Sequence, residues 1–368
     1  MTPLNIGVDV GGTNLKAGLV NERGGVVARL STPTEADRGF EHVLARIVNL
    51  IDELLAAAGR SKREIGAIGI GAPGPMSHAR GVVFNAPNLP GWANVPLRDR
   101  LADATGLPVS LENDANAAAF GEFVVRAAPP PQVATRSTAD VAARSSAGDA
   151  DHASGRGTPG AGGAAPPDSA PTATRVRDHA IHSLVMMTLG TGVGGGIVLN
   201  GRLVRGAFDN AGEIGHMIIE PQGRECPCGQ RGCVERYCSA NAVAERLAET
   251  VRAGEHSLLS GSILRGDEIN AAQVQQAMEQ GCGIAARVWD ETCRYLALTC
   301  VNVQHLLNPQ VVVLAGGLIN AGDLLLLPVQ RHFERLTWKM APDSPRIELA
   351  KLGGDAGVIG AAALAREG

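Results

Sequence analysis

The chain has 368 residues, enough for two domains and a sizeable core. Aromatic residues make up only 3%, so aliphatic side chains must supply that core, and 47 glycines favour an α/β protein with many tight turns over a coiled coil. Lys and Arg total 33 against 37 Asp and Glu, a net charge of −4, which argues against nucleic acid as the main partner because phosphate backbones demand clustered cations. No apolar run reaches the roughly 18 residues of a membrane helix. The opening Met1–Val10 has no basic segment followed by an apolar one, so no membrane association and a cytoplasmic location are expected. Seven cysteines, an odd number with three inside 226–233, suggest a metal site rather than a disulfide framework.

In chain order, Asn5–Val10 and Leu15–Val20 read as short strands split by Gly11-Gly12-Thr13. The spacing of Val43, Ile47, Leu50, Ile51, Leu54 and Leu55 predicts a helix over 41–58. Ile65–Ile70 reads as a buried strand, Leu97–Ala104 as a short helix, Val109–Leu111 as a strand and the Ala-rich Asp114–Val125 as a helix. Residues 127–180 contain no Leu, Ile, Met, Phe, Tyr or Trp, and cannot bury enough apolar surface to offset chain entropy. A disordered insertion is expected there. Beyond it come the strand Ser183–Leu189, a glycine turn, the strand Gly196–Leu199, helices over 240–253 and 282–308, and the strand Val311–Ala315. Strands alternating with helices define an α/β class, with an N-terminal domain over 1–126 and a C-terminal domain over 181–368.

Three glycine-rich turns carry the first functional signal. In Asp9-Val-Gly-Gly-Thr13 the glycines let the backbone approach an anion and aim N–H groups at it, Thr13 offers a hydroxyl, and Asp9 is placed to hold Mg²⁺. Taken alone, this pentapeptide reads first as a plain β-turn. Gly190-Thr-Gly-Val-Gly-Gly-Gly196 contains G-x-G-x-x-G at Gly190, Gly192 and Gly195, but a strand rather than a helix follows, so a strand–loop–strand phosphate cradle is preferred to a dinucleotide fingerprint. Gly190, Thr191, Gly192 and Gly194 are its candidate phosphate contacts. Gly316 and Gly317 in Leu314-Ala-Gly-Gly-Leu318 end an apolar strand where a base or ribose can sit.

Two glycine hairpins, one opening each half, resemble the sugar kinases of the actin-like ATPase superfamily, and more closely the ROK family (repressors, open reading frames and sugar kinases). The resemblance implies two actin-like, ribonuclease H-like ATPase domains with a cleft between them, and a final helix near 355–368 that returns to the first domain.

Glu112-Asn-Asp-Ala-Asn116 joins a strand to a helix, where a carboxylate at a cleft floor suits phosphoryl transfer to a hydroxyl. Asn and Asp also favour helix N-caps, which is the structural alternative. The resemblance implies Asp114 as general base and Asn113 as a sugar contact, with Glu112 and Asn116 structural. It likewise makes Asn88, in Pro87-Asn-Leu-Pro-Gly-Trp92, a sugar contact, with Trp92 a packing residue.

His216, Cys226, Cys228 and Cys233 form a Cys₃His set, a tetrahedral Zn²⁺ shell with no ligand position left for water, so a structural zinc is expected. Zinc on one ring nitrogen of His216 leaves the other to face a sugar hydroxyl. The resemblance places Glu213, His216 and Glu235 in the sugar pocket.

The expected activity is ATP- and Mg²⁺-dependent phosphorylation of a hexose 6-hydroxyl, glucose above all, because Pro87–Leu97 resembles the glucose-phosphorylating branch. Kinases for N-acetylmannosamine, N-acetylglucosamine, fructose or allose, or a polyphosphate donor, are the alternatives. A sugar-responsive regulator ranks below these, since the chain enters its first strand by Asn5 and leaves no room for a preceding helix-turn-helix. The resemblance also implies a homodimer.

Overall fold

The computed structural model describes residues 4–86, 89–127, 181–340 and 342–366. The expected insertion, apart from Ala127 at the end of a helix, and Asn88 both lie outside the described residues. The first half opens with strands β1 (Leu4–Val10), β2 (Asn14–Val20), β3 (Val26–Pro33) and β4 (Ile65–Ala72). A small antiparallel sheet follows, made of β5 (Met76–Ser77), β6 (Val82–Asn85) and β7 (Ala93–Val95). Strand β8 (Val109–Asn113) then completes a five-stranded sheet in the order β3-β2-β1-β4-β8. The first three strands are antiparallel neighbours and the last two run parallel to β1. β1 and β4 are near-continuous apolar runs because both of their faces are covered, whereas β3 alternates half-buried and exposed residues as an edge strand does.

The second half repeats the plan. Strands β9 (Leu184–Leu189), β10 (Val193–Leu199), β11 (Arg202–Leu203), β12 (Val311–Ala315) and β13 (Arg346–Leu349) pair in the order β11-β10-β9-β12-β13. Here too the first three are antiparallel and the last two parallel to β9. The two sheets therefore share one topology.

Helices α1 (Phe40–Ala57), α2 (Leu97–Thr105) and α3 (Asp114–Ala127) belong to the first half. α1 buries Val43, Leu44, Ile47, Leu50, Ile51, Leu54 and Leu55 against the first sheet, the face its periodicity predicts. The second half carries α4 (Glu235–Cys238), α5 (Ala240–Arg252), α6 (Ser260–Arg265), α7 (Ala271–Glu279), α8 (Gly283–Leu307), α9 (Asp323–Leu336) and α10 (Ala356–Leu364).

α10 lies on β1 and β4 of the first sheet, beside α3. A Cβ on Gly69 would stand 1.8 Å from the Ala361 carbonyl oxygen, and one on Gly360 1.6 Å from that of Ala117, so only glycine permits this approach. On its other side α3 packs against β9 and β10. Ala119, Phe120 and Phe123 share a core with Leu184, Met186, Val198, Val313 and Leu364. The helix that begins with Asp114 is thus held between the two sheets.

The glycine run of the second half differs from expectation. β10 begins at Val193, so the turn spans only 190–192 and Gly194, Gly195 and Gly196 are strand residues. Their lack of side chains admits α3: a Cβ on Gly196 would meet Ala119 Cβ at 2.4 Å, and one on Gly194 would meet Ala115 Cβ at 3.2 Å. Strands β3 and β13 and helix α9 have no counterpart in the sequence-based expectations. Pro328 inside α9 obscures its helical signal.

Candidate active site

Parallel strands present their carboxyl ends on one side. In the first sheet Asp9 on β1 pairs with Gly71 on β4, and Gly71 with Glu112 on β8. Asp9 and the β8–α3 junction thus flank a residue without a side chain, two strand spacings or about 10 Å apart. Such strand ends are where open α/β sheets bind ligands.

The β1–β2 turn is fastened from beneath. The buried Thr34 donates its hydroxyl to the Gly11 carbonyl at 2.6 Å and its N–H to the Thr13 carbonyl at 2.8 Å. Gly11 donates its own N–H to the Asn14 carbonyl. The N–H groups of Gly12 and Thr13 have no acceptor among the described residues, and both residues are exposed, as an anion-binding turn requires. Burial raises the Asp9 carboxyl to about 6, an effect opposed by Lys16, whose Nζ lies 3.9 Å away, and reinforced by Asp114. Two carboxylates that disfavour each other's charge across a glycine gap suit a divalent cation.

At the head of α3 the two readings of Asn113-Asp114 separate. Asn113 is the N-cap: its Oδ1 accepts the N–H groups of Ala115 at 3.0 Å and Asn116 at 3.2 Å. Its Nδ2 is left to donate. Asp114 is the first helical residue, and its Oδ1 accepts the Ala115 N–H at 2.8 Å. Burial raises its pKa, and the Ala115 bond offsets only part of that. A carboxyl shifted towards neutrality serves as a proton acceptor near working pH.

In the second sheet, Ala315 at the end of β12 pairs with Thr188 near the end of β9, which sets Gly316 and Gly317 beside the 190–192 turn. Gly316 has φ +85°, and a Cβ there would meet the Leu189 backbone at 2.6 Å. Gly190 donates to the Gly192 carbonyl, and Gly194 donates to Thr188 Oγ1 at 3.1 Å, so their N–H groups are occupied. Those of Thr191 and Gly192 have no acceptor among the described residues.

Glu213, His216 and Glu235 gather around the start of β10. Glu235 Oε2 accepts the Val193 N–H at 2.9 Å and lies 2.3 Å from where a Gly192 Cβ would be. The short 3₁₀ turn Ile214–His216 is seated on β10: a Cβ on Gly215 would stand 1.9 Å from the Val193 carbonyl oxygen. Glu213, which precedes it, is exposed. Gly212 meets the head of α3, with Asn116 Oδ1 3.5 Å from its Cβ position. Glu213 and His216 are thereby brought towards Asn113 and Asp114.

The donor atoms of His216, Cys226, Cys228 and Cys233 all lie within 4.8 Å of one another. Cys226 Sγ is 3.8 Å from His216 Nδ1, and Cys228 Sγ is 3.7 Å from Cys233 Sγ. A tetrahedron with Zn–S arms of about 2.3 Å has edges of about 3.8 Å, so the set fits that ion. Nδ1 is the nitrogen that faces the thiols, which leaves Nε2 pointing away from them.

Three contributors went unread in the sequence. Thr34 locks the first turn, Lys16 faces Asp9 because Asp9 and Lys16 pair across β1 and β2, and Arg205 binds Glu112. The pairing of β1 with β2 placed Lys16 within reach of inference. Thr34 and Arg205 have no spacing signature.

The sequence matches the ROK family over residues 5–132 and 172–368. A glucokinase of Halalkalibacterium halodurans is 33% identical over 98% of this chain and 94% of its own length. A glucokinase of Thermotoga maritima is 32% identical over 98% of this chain and 97% of its own length. The crystal structure of a ROK family glucokinase from Streptomyces griseus, in complex with glucose and AMPPNP, superposes with a TM-score of 0.70 at 30% identity, covering 99% of this chain and 100% of that one. The two-sheet fold is that of the ROK proteins. This chain belongs to the ROK family.

Proposed function

We propose that this protein is an ATP-dependent sugar kinase that phosphorylates the 6-hydroxyl of glucose. The observation that carries the reading is the place of Asp114: at the head of a helix held between two sheets, each of which presents a turn with two N–H groups that have no acceptor among the described residues. The likeness to glucokinases over nearly the whole chain supports the same activity and glucose as the substrate.

In this reading the sugar's 6-hydroxyl passes its proton to the Asp114 carboxylate as its oxygen attacks the γ-phosphorus, and the bond to the β-phosphate bridging oxygen breaks. Asp9 holds the Mg²⁺ of the nucleotide, while the N–H groups of Gly12, Thr13, Thr191 and Gly192 and the Thr13 hydroxyl face its phosphates. The N–H groups of Gly11, Gly190 and Gly194 are already spent inside the protein, so these glycines border the phosphates without donating to them. Gly316 and Gly317 border the nucleoside. Asn113 Nδ2, Glu213, His216 Nε2 and Glu235 fix the sugar hydroxyls, with Asn88 assigned to the same role by resemblance. His216, Cys226, Cys228 and Cys233 hold a zinc ion, which stiffens the 226–233 loop and orients the His216 ring. Closure of the two halves as domains expels water and limits ATP hydrolysis.

A homodimer in the cytoplasm completes the reading, where ATP is supplied and thiols stay reduced. No described helix is long and apolar enough to cross a membrane. A coupled assay of ADP release over a panel of hexoses and N-acetylhexosamines tests the proposal. Glucose should give the highest kcat/KM, and release of ADP with none of the sugars would refute it.

A further inference from the structure

We infer that Arg205 is a positioning residue that sets the general-base helix against the sugar-binding loop through Glu112. The inference rests on the sugar-kinase reading and goes beyond the residues that reading uses.

Glu112 is only 5% exposed, and its carboxylate is fully engaged. Oε1 accepts the Asn113 N–H and the Asn116 side-chain Nδ2, each at 3.0 Å. Oε2 accepts Arg205 Nε at 2.7 Å. One oxygen therefore grips the head of α3 on both sides of Asp114, and the other grips the segment between β11 and Glu213.

That segment crosses from the second half to the first at two points. Besides the Arg205 contact, Asp209 Oδ2 accepts the His78 N–H at 2.9 Å, beyond β5. Arg205 also closes the segment on itself, its carbonyl accepting the Ala211 N–H at 2.9 Å. Gly212 then packs beside the buried Asn116, whose Oδ1 has no partner among the described residues, and Glu213 and His216 follow. Arg205 is thus the cation through which one buried carboxylate holds both sugar-facing elements in a fixed relation.

Removal of the guanidinium strands a buried charge. The carboxylate then turns from its place, Asn113 and Asn116 lose their fixed acceptor, and Asp114 shifts relative to Glu213 and His216. A misplacement of about 1 Å in such a site costs about 100-fold in rate. Among the described residues no hydrogen bond joins the turns at 11–13 and 190–192 to Glu112, so nucleotide binding should be spared.

The test compares wild type, Arg205→Ala, Arg205→Lys, Glu112→Gln and the Glu112→Gln/Arg205→Ala double variant, measuring KM for glucose and for ATP separately and glucose binding by thermal shift. Arg205→Ala should lower kcat/KM for glucose by about 10- to 100-fold while KM for ATP stays within about twofold. Arg205→Lys should recover part of the loss. The double variant should be no worse than Arg205→Ala, because the neutral amide introduced by Glu112→Gln leaves no stranded charge. Should Arg205→Ala not fold, Arg205→Lys and Glu112→Gln still show the split between sugar and nucleotide constants. Glucose and ATP constants that move together, or a folded Arg205→Ala enzyme with wild-type glucose kinetics, would overturn the inference while leaving the kinase reading intact. A wild-type protein inactive on every hexose would instead defeat that reading, and this inference with it.

Discussion

Asp9 shows at the scale of one residue how function opposes stability. Its carboxyl titrates near 6 in the folded chain against an ordinary 3.8, so above pH 6 the folded state carries a charge it disfavours, at a cost of about 3 kcal/mol. The sign follows: a raised carboxyl pKa removes stability as pH rises through it, and below the unfolded value the cost is gone. Asp9→Asn should therefore raise the melting temperature at about pH 8, much less at about pH 4, and abolish Mg²⁺-dependent turnover. A gain equal at both pH values would show that burial of charge is not the cause. Residues of this kind were legible in the sequence where chemistry is local. Asp9, Asn113, Asp114 and the Cys₃His set stand within short motifs whose spacing alone brings donors together. The division of labour between Asn113 as cap and Asp114 as first helical residue needed the helix boundary. Thr34 and Arg205 act across 23 and 93 residues of chain, on Gly11 and Glu112, and no local pattern announces such partners.

Among the elements, the 226–233 loop depends most on something other than its own packing. It is short and rich in turns, with Gly229 and Gly232 at positive φ, and its cysteines face one another. Arg224 ties the preceding residues to Glu249 on α5 with bonds of 2.6 and 2.7 Å, and Arg236 ties the following ones to Glu245. On the proposed zinc site, such a loop would gain its order from the metal. The purified protein should contain about one zinc ion per chain, and stripping it with a strong chelator should lower the melting temperature and raise KM for glucose more than KM for ATP. Metal-free protein of unchanged stability and sugar affinity would remove the ion from the account. The glycine runs illustrate what sequence could not separate. A glycine that frees an N–H, as at Gly192, and one that admits a helix, as at Gly196, are the same letter, and only the packing of α3 on β10 tells them apart.

For the whole molecule, the repeat of one strand order in both sheets was foreshadowed by the two glycine hairpins, and the α/β class by the alternation of strands and helices. The resemblance implied a final helix returning to the first domain, but the contacts that hold the halves together were not readable. α3 and α10 pack through Gly69, Gly360 and the core of Phe120, Phe123, Leu184 and Leu364, contacts made between distant parts of the chain. Phe123 and Ile181, described residues on either side of the 127–180 segment, belong to that same core. A loop closed at its base adds little entropy cost with length. Deletion of 130–177 should leave kcat and both KM values within about twofold. A folded deletion protein that no longer phosphorylates sugar would instead give the segment a part in closure.

In the proposed reaction Asp114, between the two glycine turns, takes the proton from the sugar. Steady-state kinetics of Asp114→Asn with glucose and ATP, alongside glucose binding measured by calorimetry, tests it most directly. Glucose binding should stay within about tenfold of wild type while kcat falls by about 100- to 10,000-fold. A wild type whose kcat/KM falls with acid through a pKa above the usual aspartate range agrees with the same assignment. An Asp114→Asn enzyme that binds glucose and turns it over at close to the wild-type rate would contradict it.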